Sequence, residues 1–150
     1  MSVPTTATVT EQCSAAATDL YDLIADVTNM GRWSPECRSC EWLDEPGLVG
    51  SRFKGHNRKG PFRWTTTVQV LAAERGSEFS FATQFMGKVA TRWTYRFVDG
   101  NPTTVTESFE ARGAPRLIAF AAGPLIRSRR RALEEGMRHT LAALKAAAEA

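Results

Sequence analysis

Residues 114–150 read APRLIAFAAGPLIRSRRRALEEGMRHTLAALKAAAEA, the longest helix-competent run in the chain. From Leu125 onward, Ile126, Leu133, Met137, Thr140, Leu144 and Ala148 recur at helical spacing, and Ala132 and Leu141 widen the stripe. Arg127, Arg130, Arg131, Glu134, Glu135 and Arg138 occupy the other side. Arg130–Glu134 and Arg131–Glu135 stand four apart, so each is placed to pair across one turn. Residues 142–150, rich in alanine, favour helix by propensity. Gly123-Pro124 breaks the pattern, because an interior proline removes a hydrogen bond and clashes with the preceding turn. The spacing therefore predicts a short segment, Arg116 to Ala122, and a main helix with Pro124 in its first turn. The break reads either as a simple kink or as a movable lip over a cavity.

Working outward, most of the remaining chain reads as strand. Thr6–Ser14 is a first strand, and Ser14 or Thr18 is placed to cap the helix after it. Leu20, Leu23, Ile24 and Val27 give Ala15–Asn29 an amphipathic helical spacing. Met30–Pro35 is a short turn-rich piece holding Trp33, and Arg38–Leu43 is a second strand. Five more strands come after a loop at 45–50: Ser51–Lys59, Phe62–Glu74, Ser77–Phe85, Val89–Val98 and Thr103–Arg112. Their separators are Lys59-Gly-Pro61, Arg75-Gly76, Met86-Gly87 and Asp99-Gly-Asn-Pro102, which predict antiparallel hairpins. The class is α+β: one antiparallel sheet with helices on one face, wrapping the long terminal helix so that both bury their apolar sides.

Period-two alternation sorts the side chains by face. One face collects Phe53, Gly55 and Asn57; Trp64, Thr66, Val68 and Val70; Phe79, Phe81, Thr83 and Phe85; Val89, Thr91, Trp93, Tyr95 and Phe97; Val105, Glu107, Phe109 and Ala111. It is heavily aromatic, with polar interruptions at Asn57, Thr66, Thr83, Thr91, Tyr95 and Glu107. Such a face either packs solid as a core or leaves an apolar space with a few placed polar groups, the usual composition of a small-molecule pocket.

Glu107 is the most informative residue, since Val105 and Phe109 flank it on the same face. A buried carboxylate must be paired, hydrogen-bonded or kept protonated. It is therefore a ligand anchor, an acid/base, or a structural group paired with an arginine or with the indole of Trp33 or Trp64. His56 falls on the outer face, and His139 lies near the edge of the helical stripe, four after Glu135. No Ser–His or Cys–His arrangement, P-loop, G-x-S-x-G or dinucleotide fingerprint is present.

Three cysteines, Cys13, Cys37 and Cys40, form no even set, which favours reduced thiols. Cys37 and Cys40 have C-x-x-C spacing, but at the start of a strand, where positions i and i+3 face opposite sides. Neither redox nor metal use is expected of them, and no cofactor is called for.

With 150 residues, 43% hydrophobic and 23% charged, the composition suits one soluble domain, 1–150. No apolar run of about 18 residues predicts a transmembrane helix. The first ten residues lack a secretory pattern, so a cytoplasmic location is expected. The net charge of +3 divides into +5 from Arg112 onward and −2 before it. The run Arg127-Ser-Arg-Arg-Arg131 is interleaved with acids further along the helix and reads as a solvated face. Nucleic-acid binding is not expected.

The chain resembles the START-like helix-grip proteins of the SRPBCC superfamily, in the polyketide cyclase/dehydrase-like branch of actinobacterial type. The resemblance rests on 26–36 (DVTNMGRWSPE) with Trp42, 50–58 (GSRFKGHNR), 92–95 (RWTY) and 104–109 (TVTESF). It implies a seven-stranded curved antiparallel sheet around the C-terminal helix, two short helices between strands 1 and 2, and an apolar cavity between sheet and helix. Members bind lipids, sterols, polyketides or other hydrophobic molecules, and some cyclise or dehydrate polyketides. Three functions remain open. The first is binding of a hydrophobic small molecule, lined by Phe53, Trp64, Thr66, Phe81, Trp93, Tyr95 and Phe109 and anchored by Asn57 and Glu107. The second is a cyclase/dehydratase using Glu107, with Tyr95, as acid/base. The third is a partner-binding or toxin-like role for the basic helix face. Monomer and homodimer are equally compatible with the sequence.

Overall fold

The computed structural model describes residues 5–85, 88–111 and 123–150, with residues 5, 85, 88–90 and 123–130 described by backbone alone. Seven strands make one antiparallel sheet: β1 (Thr5–Cys13), β2 (Cys37–Trp42), β3 (Arg52–Lys59), β4 (Phe62–Glu74), β5 (Glu78–Phe85), β6 (Lys88–Val98) and β7 (Thr103–Ala111). Helix α1 (Ala17–Ala25), a 3-10 turn (Val27–Asn29) and α2 (Met30–Trp33) lie between β1 and β2, and α3 (Gly123–Glu149) ends the chain. The sheet order is β1-β7-β6-β5-β4-β3-β2, so only β1 leaves sequence order, to pair with β7. This is the helix-grip architecture: a curved sheet, two short helices after its first strand, and a long terminal helix.

The turns obey their residues. Lys59 pairs with Phe62 across a two-residue turn whose first position is Gly60, at φ 59°. That positive φ is open to glycine at no steric cost. Glu74 pairs with Glu78 around Arg75-Gly76-Ser77, where Gly76 takes the left-handed conformation at φ 80°.

The predicted helix Ala15–Asn29 is instead two pieces. Asp26 leaves the helix, and its carboxylate accepts from the Thr28 N–H at 3.1 Å and the Thr28 hydroxyl at 2.5 Å, starting the 3-10 turn. The predicted caps are also corrected. Neither Ser14 nor Thr18 caps α1; the Ala17 N–H donates to Asp99 Oδ1 at 3.2 Å, from the β6–β7 loop. Ser14 is committed elsewhere, its N–H and hydroxyl donating to Glu149 at 2.8 and 3.0 Å and fastening the end of α3 to the end of β1.

Leu20, Ile24 and Val27 are fully buried, and Tyr21 sets its ring edge-on to Phe79 and Phe97 at 6.0 and 5.8 Å. Helix α3 packs mainly on β1, with further contact to α1, α2 and β7. Met137, Leu141 and Leu144 are its buried anchors, each contributing about 1.5–3 kcal/mol by burial. On its polar side Arg138 and Glu134 lie 3.8 Å apart. The predicted segment Arg116–Ala122 and the side chains of Arg127, Arg129 and Arg130, with the Arg130–Glu134 pair, lie outside the described residues. Among the described residues no helix is long and apolar enough to cross a membrane.

Two glycines have opposite roles at the α2 junction. A Cβ on Gly31 would overlap the Arg38 carbonyl oxygen, so α2 lies against β2 only because that atom is missing. A Cβ on Gly136 would meet Pro35 Cγ at an ordinary 3.6 Å. Gly31→Ala should cost about 1–3 kcal/mol through forced backbone movement. Gly136→Ala should be neutral or stabilising by up to about 1 kcal/mol through helix propensity. Urea denaturation of both variants checks this; equal midpoints would refute the Gly31 contact.

Candidate functional site

The concave face of the sheet and helix α3 enclose a cavity of about 870 Å³, within the usual range of small-molecule pockets. Its origin lies in side-chain size. The sheet contributes Phe53, Phe81, Trp93, Tyr95 and Phe109, while the helix contributes Ala132, Leu133, Gly136, Met137 and Thr140. Small residues at 132, 136 and 140, one turn apart, leave the aromatic face without a close-packed partner on that side. Exposed Pro35, Lys59, Trp64 and Ala132 mark the mouth, where Lys59 and Glu36 form an ion pair at 3.7 Å.

All nine candidate residues, Phe53, Asn57, Trp64, Thr66, Phe81, Trp93, Tyr95, Glu107 and Phe109, stand on this wall. Trp64 differs from expectation in depth, being 39% exposed at the rim. Phe53 and Phe81 lie 5.5 Å apart ring to ring, Phe81 and Tyr95 6.3 Å, and Trp93 and Phe109 4.7 Å. Asn57 Nδ2 donates to Thr66 Oγ1 at 3.1 Å, and the hydroxyls of Thr83 and Thr91 bond to each other. His56 lies on the outer face, 3.0 Å from Glu41, and His139 is exposed.

Strand register sets the deepest polar contact. Tyr95 on β6 stands directly opposite Glu107 on β7, whose other neighbour is buried Val9 on β1. The Tyr95 hydroxyl donates to Glu107 Oε2 at 2.7 Å. Glu107 Oε1 has no hydrogen-bond partner among the described residues, and neither has the buried Trp33 Nε1. The partner is thus a tyrosine, not the arginine or indole weighed from sequence. Burial pushes the Glu107 carboxyl up to about 8, only partly opposed by the tyrosine's hydrogen bond. Burial and the neighbouring carboxyl push the Tyr95 phenol well above its ordinary value. At neutral pH Glu107 is therefore mostly a neutral acid. With Oε2 accepting from Tyr95, its proton belongs on Oε1, which makes it a hydrogen-bond donor in an apolar wall.

Sequence reasoning missed Cys37 and Cys40. A register shift between Cys37 and Ser39 in the β2–β3 ladder breaks the alternation, and such a bulge re-aims side chains. Both cysteines are buried, both line the cavity, and their sulphurs lie 3.5 Å apart. The expectation that they face opposite sides is overturned. Met30 and Pro35, at the C-terminal side of the α1–α2 region, also reach the wall. Among the described residues no three His, Cys, Asp or Glu side chains are grouped to hold a metal.

Comparison with known proteins places this architecture. A family model described as polyketide cyclase/dehydrase and lipid transport matches residues 4–149. The chain is similar to the Polyketide_cyc-like protein Cgl2372 from Corynebacterium glutamicum: 30% identity, 93% of this chain and 88% of that one, TM-score 0.66. A START superfamily protein from Mycobacterium smegmatis shares the fold at 15% identity over 96% and 97% of the two chains, TM-score 0.72. The di-domain ARO/CYC StfQ from the steffimycin biosynthetic pathway shares it at 13% identity and TM-score 0.80, over 98% of this chain and 51% of that one. No curated protein sequence matches the chain. Matched over nearly its whole length by the family model and at 30% identity by a relative of the same kind, the chain belongs to the polyketide cyclase/dehydrase and lipid transport family.

Proposed function

We propose that this protein binds a hydrophobic small molecule, of lipid, polyketide or sterol-like chemistry, between the sheet and α3. The observation that carries the reading is the pairing of an apolar, aromatic cavity with one neutral acid at its wall. Apolar burial at about 25 cal/mol per Å² supplies most of the affinity. Glu107 orients the ligand, its unpartnered oxygen donating to a carbonyl or hydroxyl oxygen. The Asn57–Thr66 pair on β3 and β4 offers a second polar contact. The family's association with lipid transport and with polyketide cyclases supports this class of ligand.

A second reading is favoured by the same carboxyl. A pKa of about 8 sits near neutral pH, where a group serves as both acid and base. Glu107 would give its proton to a substrate carbonyl oxygen and then, as the carboxylate so formed, take one from the adjacent carbon, leaving an enol and the carboxyl restored. The resulting enol attacks a second carbonyl in a folded chain, and loss of water completes the ring. Tyr95 acts here as a positioning residue, holding the carboxyl through Oε2.

Native mass spectrometry of protein isolated from its own host, with organic extraction, should show a retained hydrophobic molecule. Thr66→Trp, which fills the cavity, should lose it while the melting temperature stays within a few degrees. Absence of any retained molecule, together with no binding of an apolar fluorescent probe, would rule the binding reading out. Turnover of a poly-β-ketone by the native protein, abolished in Glu107→Gln while binding persists, would select the enzyme reading.

The carboxyl also sets a pH dependence. An acid with a higher pKa folded than unfolded holds its proton more tightly in the folded state. Its contribution is full below the ordinary value of 4.5 and is lost progressively as pH rises to about 8. Glu107→Gln keeps an acceptor for Tyr95 and carries no charge. It should be more stable than the native protein at pH 8 by on the order of 4 kcal/mol, and near parity at pH 4.5. Denaturation midpoints at the two pH values check this; an unchanged difference would refute the buried-acid assignment.

A further inference from the structure

We infer that Cys37 and Cys40 are a redox-active dithiol in the cavity wall, closing to a reversible disulfide on reaction with a peroxide. The inference stands on the geometry of the two thiols and not on the identity of any ligand. The bulge at Cys37/Ser39 turns both side chains to one side, with the sulphurs 3.5 Å apart. A disulfide needs about 2.05 Å, so the remaining approach is about 1.5 Å. Cys40 pairs with Gly55, and a Cβ there would come within 3.7 Å of its sulphur. Both thiols are at most 9% exposed, so a small oxidant reaches them through the cavity, whose described lining includes both.

The pair is also chemically differentiated. The hydrogen bond shared between the sulphurs favours ionisation of Cys37 and pushes Cys40 up, with burial adding to the rise at Cys40. Cys37, the more readily ionised of the two, is the attacking sulphur and Cys40 the resolving thiol. The Cys37 sulphur attacks one peroxide oxygen and the O–O bond breaks. Hydroxide leaves and takes up a proton as water, while the sulphur becomes a sulfenic acid. The Cys40 thiol attacks that sulphur, the S–S bond forms, and the sulfenic oxygen departs as a second water. The two sulphurs give up two electrons and the peroxide accepts both. A small dithiol reverses the reaction by exchange.

Trypsin separates the three cysteines, because it cuts after Arg32, Arg38 and Arg52: Cys13 falls in 1–32, Cys37 in 33–38 and Cys40 in 39–52. Native protein treated with hydrogen peroxide should lose about 2 Da, and its alkylatable thiols should fall from three to one. Peptides 33–38 and 39–52 should be recovered joined, and dithiothreitol should release them. Cys40→Ser should trap a sulfenic acid on Cys37, detectable with dimedone. Joining of Cys13, links between chains, separate over-oxidation of Cys37 and Cys40, or three thiols left unchanged would each overturn the inference. The peptide map uses native protein, so the test stands even where the variant fails to fold.

Discussion

The seat of helix α3 on β1 is the constraint on which the rest of the molecule depends. A seven-stranded sheet presents more apolar surface than one helix can cover, and this helix is placed at one side of it. Leu141 and Leu144 are buried on a helix whose main contact is with β1, and Ser14 clasps the helix end through Glu149. With the helix held there, the inner faces of β3 to β7 look across a gap. Close-packed interiors rarely leave such a gap unless the residues facing each other are mismatched in size. Here they are: aromatic rings on the sheet meet Ala132, Gly136 and Thr140 on the helix. The cavity results from where the helix is anchored and from the small side chains it presents.

That geometry explains why Glu107 is tolerated. In a solid core a carboxyl opposite one tyrosine would leave an acceptor stranded, at a cost of about 1–3 kcal/mol for the unmet hydrogen bond alone. The chain accommodates it by keeping the proton, as burial drives the pKa upward. The Tyr95 hydroxyl fixes which oxygen accepts and so which one donates. The same burial that makes Glu107 costly makes it useful, since a neutral acid in an apolar wall is a directional donor that water does not compete for. Fold and chemistry meet at one cross-strand pair.

Much of this was legible in the sequence because it depends on period. Strand boundaries fell within a residue or two where glycine and proline mark the turns, and alternation put all nine candidate residues on one face. The failures have a common physical cause: long-range contacts replaced local ones. Asp99, more than eighty residues away, caps α1 where Ser14 and Thr18 were the local choices. Tyr95 and Glu107 were each visible on the inner face, but their pairing depends on a register that alternation leaves free. Cys37 and Cys40 were read as facing apart because a bulge inserts one residue and reverses the phase. The only local hint was Gly55 in the facing strand, a residue that weakens a strand unless something approaches it closely.

The polar groups of the wall also report how far the sheet curls. Cys37 is on edge strand β2 and Tyr95 on β6, four strand spacings apart in the sheet order. In a flat sheet, at about 4.8 Å per spacing, roughly 19 Å would separate those strands. Yet Cys37 and Tyr95 both line the one cavity. The sheet must therefore bend until β2 faces β6 across the cavity. A consequence is that the dithiol and the neutral acid, remote in the sheet, address the same enclosed volume. A ligand lying between them meets sulphur on one side and a proton donor on the other.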